Sequence, residues 1–172
     1  MANLKIRIGS LELANPIILG SATPTWDGKR MGRGYMAGAG AIVSKTIVLG
    51  EEHCNHPKNG RFFVLKSGNR PFGMINVETF STLPESSWVK RELKVAKKTG
   101  APIIASVLAM ANPSETAELI QSVEATGEVD AFELNNSCPM HVNMNDYNIV
   151  PLTVAQTSAA RKATTFPVML KL

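Results

Sequence analysis

The chain has 172 residues, 44% of them hydrophobic, and a formal net charge of +4. That is enough for one globular domain with a sizeable core. No stretch approaches the ~20 consecutive apolar residues of a membrane helix, and the start, M-A-N-L-K-I-R-I, alternates where a signal peptide carries a continuous apolar run, so a soluble, cytoplasmic protein is expected.

The segment L-K-I-R-I-G-S-L-E-L reads as a β-hairpin closed by Gly9-Ser10, with Leu4, Ile6 and Ile8 on one face and Lys5 and Arg7 on the other. From Asn15 short apolar runs alternate with segments of helical composition. The runs begin at Pro16, Ala41, Pro102, Ala131 and Pro167, and each is almost continuously apolar at its start, as strands buried on both faces are. The intervening helices fall around Trp26 to Ala37, Glu85 to Thr99, Asn112 to Gly127 and Thr153 to Thr164. The third has Asn112 as cap, Pro113 at its first position and an inner stripe of Ala117, Ile120 and Val123. The connection Val48 to Thr82 holds little periodicity.

Strand, helix and strand repeated in this way build a parallel sheet. The hairpin suits the floor of a (β/α)8 barrel, and Ser21, Lys45, Ser106, Asn135 and Lys171 end strands where barrel active sites lie. No G-x-G-x-x-G follows the first strand, which weighs against a dinucleotide fold. The expected architecture is α/β, a partial (β/α)8 barrel of about five βα strands with an N-terminal hairpin. A complete barrel runs to ~250 residues, so residues 1–172 read as a single domain that forms the first part of a barrel and breaks off at its fifth strand.

The chemistry concentrates in Ala131 to Met140, A-F-E-L-N-N-S-C-P-M. Alternation sends Phe132, Leu134 and Asn136 to one face and Glu133, Asn135 and Ser137 to the other. Three polar groups in file need a polar network or a ligand. Lys45 and Lys171 each end a strand, on the face that would be the inside of a barrel, so a barrel would bring both ammonium groups to its mouth. Either their ammonium groups snorkel to water, or they share a pocket with Glu133 and Asn135 that suits an anionic cofactor. Cys138 follows the tip; a lone cysteine is commonly a small buried hydrophobe, but this position favours chemistry. Its fellow Cys54 gives no C-x-x-C pair and no disulfide framework. The cluster E-E-H-C-N-H, Glu51 to His56, lies in a loop without a second ligand group to complete a tetrahedron, so no metal site is expected. The basic residues are scattered, and the one dense run, Lys90 to Lys98, has the spacing of a solvated helix face rather than of a nucleic-acid surface.

These segments resemble the FMN-dependent dihydroorotate and dihydropyrimidine dehydrogenase family: N-P-I-I-L-G-S-A-T-P (Asn15 to Pro24), A-G-A-I-V-S-K-T (Ala39 to Thr46), M-I-N-V-E (Met74 to Glu78), F-E-L-N-N-S-C-P (Phe132 to Pro139) and P-V-M-L-K-L (Pro167 to Leu172). The resemblance implies FMN as cofactor, with Gly20 and Ser21 giving the backbone that approaches the flavin and Lys45, Asn135 and Lys171 the side chains around its ring. It further implies Asn76, Asn135 and Ser137 in contact with a pyrimidine-type substrate, and Cys138 as acid/base. Asn136 departs from the Leu usual at that place, Met140 from an Asn that touches substrate in dihydroorotate enzymes, and the loop from Met140 to Asn145 lacks the usual glycines. S-A-T-P and I-N-V-E lean toward the dihydropyrimidine branch.

Two other readings stand beside this one: a non-catalytic half barrel completed by a second chain or as a homo-oligomer, and a barrel lyase with Lys45 or Lys171 as Schiff base. No nucleic acid or membrane partner is expected. Because barrels of this type grip phosphate with loops after their seventh and eighth strands, the chain alone is expected to bind FMN weakly or not at all. Purification of this chain as a yellow protein with a flavin spectrum would contradict that expectation.

Overall fold

A computed structural model describes residues 2–50, 54, 62–76, 81, 83–109, 112–136 and 149–172. Strands β1 (Ile6–Ile8) and β2 (Leu11–Leu13) form the expected hairpin, with Ile6 opposite Leu13, and Gly9 takes the left-handed conformation (φ 59°) that its turn requires. Leu4 lies outside the pairing and is exposed.

The main sheet is built from β3 (Ile18–Leu19), β4 (Ala41–Val43), β5 (Ile47–Val48), β8 (Ile103–Leu108), β9 (Ala131–Asn135) and β10 (Val168–Lys171). All pairings are parallel, in the order β10-β9-β8-β4-β3, with β5 also on β8. Spatial order thus follows chain order with no reversal, which removes the switch point of a doubly wound sheet and matches a run of barrel strands.

The core has the same one-sided character. Helices α1 (Gly28–Met36), α2 (Glu85–Ser87), α3 (Leu93–Lys97), α4 (Pro113–Glu124) and α5 (Ile149–Ala163) frame it. Met31, Trp88, Leu93, Ala96, Leu119, Ile120, Val123 and Ala160 pack on one face of the sheet with Ile42, Ile103, Phe132 and Leu134. The opposite face, Ala41, Val43, Ile104 and Ala131, is covered by Leu11 and Leu13 of the hairpin, with Ile6, Ile8, Ile18 and Met169 around them. The hairpin therefore plugs the inside of a five-strand half barrel. Three details differ from the sequence reading. The buried stripe of α4 is Thr116, Leu119, Ile120 and Val123, with Ala117 only half-buried. Helix α5 begins at Ile149, ahead of Pro151, a residue tolerated in a first turn. The connection Val48 to Thr82 contains a second hairpin, β6 (Phe62–Ser67) with β7 (Arg70–Asn76), closed at Gly68 (φ 57°).

Between α2 and α3 the helix widens to a π turn, Trp88–Glu92, in which the Leu93 N–H reaches the Trp88 carbonyl. Both Trp88 and Glu92 are buried. Glu92 Oε2 accepts the Gly28 N–H at 2.8 Å, so a buried carboxylate caps the positive end of α1, where Asp27 also accepts from the Arg30 N–H. The approach leaves no room for a side chain: a Cβ on Gly28 would lie 2.1 Å from the Glu92 carbonyl oxygen. Gly28→Ala is expected to destabilise the fold by about 1–3 kcal/mol, measured as a lowered urea midpoint with unchanged slope. An unaltered midpoint would place the α1 and α3 contact elsewhere.

Candidate functional site

The carboxyl ends of the parallel strands carry the polar side chains. Between β4 and β5 the chain advances four residues, Val43 to Ile47, while β8 advances three, Ile104 to Val107. The extra residue is a bulge, and it reverses the alternation: Val43 faces the hairpin, whereas Ile47 packs in the helix-side core. Ser44, Lys45 and Thr46 occupy the bulge and all three are buried. Ser44 Oγ accepts the Ser106 N–H at 3.0 Å, and the Lys45 N–H donates to the Thr25 carbonyl at 3.0 Å.

Thr46 is the hub. Its Oγ1 accepts from Asn135 Nδ2 at 2.9 Å and lies 3.2 Å from Ser106 Oγ and 3.4 Å from Ser21 Oγ, so one hydroxyl ties together the ends of β3, β8 and β9. Asn135 is 6% exposed. Its Oδ1 is buried with no hydrogen-bond partner among the described residues. Lys171 stands in register with Asn135, and its Nζ is 3.8 Å from Glu133 Oε1, a buried carboxylate oxygen likewise without a hydrogen bond among the described residues. Gly20, at the end of β3, is exposed, and a Cβ there would meet nothing within 4 Å.

The structure thus gathers Ser21, Asn135 and, through strand register, Lys171, with Lys45 buried in the adjoining bulge. Asn76 is not part of this cluster; it is exposed at the end of β7, opposite Phe62. Ser137 and Cys138 lie outside the described residues, as do Glu51 to His56 apart from Cys54, whose Sγ is 3.9 Å from the Gly50 carbonyl. No group of metal-ligating side chains occurs among the described residues, and none of their helices is long and apolar enough to cross a membrane. Lys90, Arg91, Lys94 and Lys98 are exposed, as a solvated helix face requires, while Lys97 pairs with Asp130 at 2.6 Å. Sequence reasoning placed Glu133 with Lys171 but missed Thr46. A signal for Thr46 exists: three polar residues enclosed between apolar Val43 and Ile47 must be satisfied internally.

An amide oxygen with no partner among the described residues, an ammonium group in register beside it and an open glycine edge suit a planar, hydrogen-bonding ring that gains negative charge. Comparison with known proteins bears on the same segments. The chain is 32% identical over 143 residues to a chloroplastic dihydropyrimidine dehydrogenase (NADP(+)) of Arabidopsis thaliana, which covers 80% of this chain and 33% of that protein. It is 30% identical over 167 residues to the catalytic subunit of dihydroorotate dehydrogenase B (NAD(+)) of Methanocella arvoryzae, covering 95% of this chain and 51% of the relative. This chain is related to the dihydroorotate and dihydropyrimidine dehydrogenases. The corresponding catalytic subunit of Thermococcus kodakarensis matches at 31% over 179 residues, 100% of this chain and 54% of the relative. The chain therefore spans about half the length, or less, of these dehydrogenases. No family model matches it.

If Thr46 is the hub, Thr46→Val strands the Asn135 amide and costs about 1–3 kcal/mol of stability, whereas Ser21→Ala, at a half-buried and longer contact, costs less than about 1 kcal/mol. Urea unfolding of the two variants checks the order; equal effects would remove Thr46 from its central place.

Proposed function

We propose that this chain supplies the flavin- and pyrimidine-facing part of an FMN-dependent oxidoreductase acting on the CH–CH bond of a dihydropyrimidine: dihydrouracil, dihydrothymine or dihydroorotate. The observation that carries the proposal is Asn135, a buried amide whose nitrogen is engaged by Thr46 and whose oxygen is left without a partner among the described residues, in register with Lys171. The relationship to dehydrogenases named for dihydropyrimidine and dihydroorotate supports it.

FMN, when bound, supplies the hydride acceptor or donor. The chain's own residues bind and orient. Gly20 and Ser21 offer backbone and an open edge for the ring to approach. Asn135 Oδ1 accepts an N–H from the flavin or from the substrate ring, and the Lys171 ammonium, together with that of Lys45 from the other side of β8 and β9, offsets negative charge that reduction places on the flavin. Ser137 adds a hydroxyl contact to the pyrimidine, whose alternating N–H and C=O edge pairs with such groups, and Asn76 adds an amide once the β6–β7 hairpin, which carries it outside the cluster, is brought over the substrate. Cys138 takes or returns the proton at the substrate carbon next to the one that exchanges hydride.

A second reading is favoured by the edges of the sheet. Strands β3 and β10 end it on either side, and Ile17, Leu170 and Leu172 are exposed there. Such edges invite pairing, so FMN binding would then require a second chain that completes the sheet.

The experiment is anaerobic titration with FMN, followed by dihydrouracil, dihydrothymine or dihydroorotate, with loss of the flavin absorbance as readout. With FMN held at the concentration, or with the completing polypeptide, that saturates the site, one of the three is expected to reduce the flavin. Cys138→Ala is expected to keep FMN affinity while slowing reduction by about 10²–10⁴-fold. Gly20→Val is expected to weaken FMN by at least roughly tenfold with an unchanged unfolding midpoint. FMN binding that appears only after a second polypeptide is added selects the half-barrel reading. A chain that binds no flavin under either condition and is trapped by borohydride with a carbonyl compound overturns both.

A further inference from the structure

Asn136 lies just past the end of β9, next to Asn135, whose Oδ1 has no hydrogen bond among the described residues, yet its own surroundings are the opposite. It is 6% exposed, and its Nδ2 donates to Gln156 Oε1 at 2.8 Å and to Thr153 Oγ1 at 3.2 Å. Gln156, 3% exposed, donates through Nε2 to the Ala109 carbonyl at 2.9 Å, just past the end of β8. The Asn136 backbone N–H donates to the Lys171 carbonyl at 3.1 Å. One residue thus reaches β10 with its backbone, α5 with its side chain and, through Gln156, the end of β8.

An apolar side chain would fill this place on the helix side of the sheet at no cost in hydrogen bonds. A buried amide pair is directional instead: it is satisfied in one arrangement and costly in others, so it fixes the relative position of the elements that carry it. The segment so fixed continues β9 directly from Asn135, and its backbone N–H holds the Lys171 carbonyl of β10. We infer that Asn136 and Gln156 form a clasp that positions Asn135 and Lys171 for the flavin, making Asn136 a positioning residue of the site. This rests on the flavin reading for its ligand, but the clasp itself can be tested without one.

The test is a double-mutant cycle with Asn136→Leu and Gln156→Leu. Each single change leaves a buried amide without its partner and is expected to lower the folding equilibrium constant by on the order of 10- to 100-fold. The double variant is expected to be more stable than the product of the two single effects by at least about threefold. Additive effects would overturn the clasp. The positioning role is read in the double variant, where stability is partly recovered but the direction of the amide pair is gone. The Asn135 side-chain NH₂ is expected to exchange with solvent faster than in the parent, and FMN affinity to stay lowered by at least about fivefold. Parental exchange and affinity in the double variant would reduce Asn136 to a packing residue. If the parent chain binds no FMN even with a second polypeptide that completes the sheet, the flavin reading fails at that step, and the Asn135 exchange rate alone decides whether the clasp positions the strand tip.

Discussion

Strand β8 is the constraint on which the molecule rests. Its six residues are all buried, and its backbone is paired with β4 and β5 on one side and β9 on the other. A buried strand must satisfy every N–H and C=O through its neighbours, so the register of β8 fixes where β4 and β9 end. Because the helices cover only one face of the sheet, the other is free to receive the hairpin at one end and to present polar side chains at the other. Ser106 of β8 meets Thr46, which also takes the Asn135 amide, at that second end as a direct result. The ion pair of Lys97 with Asp130, whose Oδ2 also accepts the Ile103 N–H at 2.7 Å, holds the beginning of the same strand.

Much of this was legible in the sequence. Parallel strands buried on both faces leave near-continuous apolar runs, and the helix caps at Asn112 and the glycine ends at Gly100 and Gly127 are local chemistry that needs no knowledge of the fold. The split of Phe132 and Leu134 from Glu133 and Asn135 could be read directly because β9 pairs without irregularity. The bulge at Ser44 to Thr46 could not, since it exists only in relation to a strand some sixty residues away. The β6–β7 hairpin escaped for another reason. Val64 and Met74 form one cross-strand pair and Phe63 and Ile75 the next, all four exposed, so no alternation marks the strands, although Gly68-Asn69 is a turn sequence.

Asn135 at the end of β9 and Asn136 just beyond it separate scaffold from site. Asn136 and Gln156 find each other and the backbone of β8; Asn135 and Glu133, on the other face, each retain a buried oxygen with no hydrogen bond among the described residues. Protein interiors rarely leave such atoms alone. The same amide side chain thus serves as internal fastening at one position and as an open acceptor at the next, and the difference is set only by which face of the strand it occupies.

The hairpin of β1 and β2 has a consequence for how the chain reaches this state. Its side chains touch residues of β3, β4, β8, β9 and β10, and Pro167 sits close beside Gly9. Residues 6–13 leave the ribosome long before the surface they cover is complete, because Met169 lies far downstream of them in the chain. Contacts so distant along the chain are formed late, at the cost of loop-closure entropy. During synthesis Leu11 and Leu13 therefore spend the interval without their final partners, and the step that seats them is also the step that joins the first strand of the half barrel to the last.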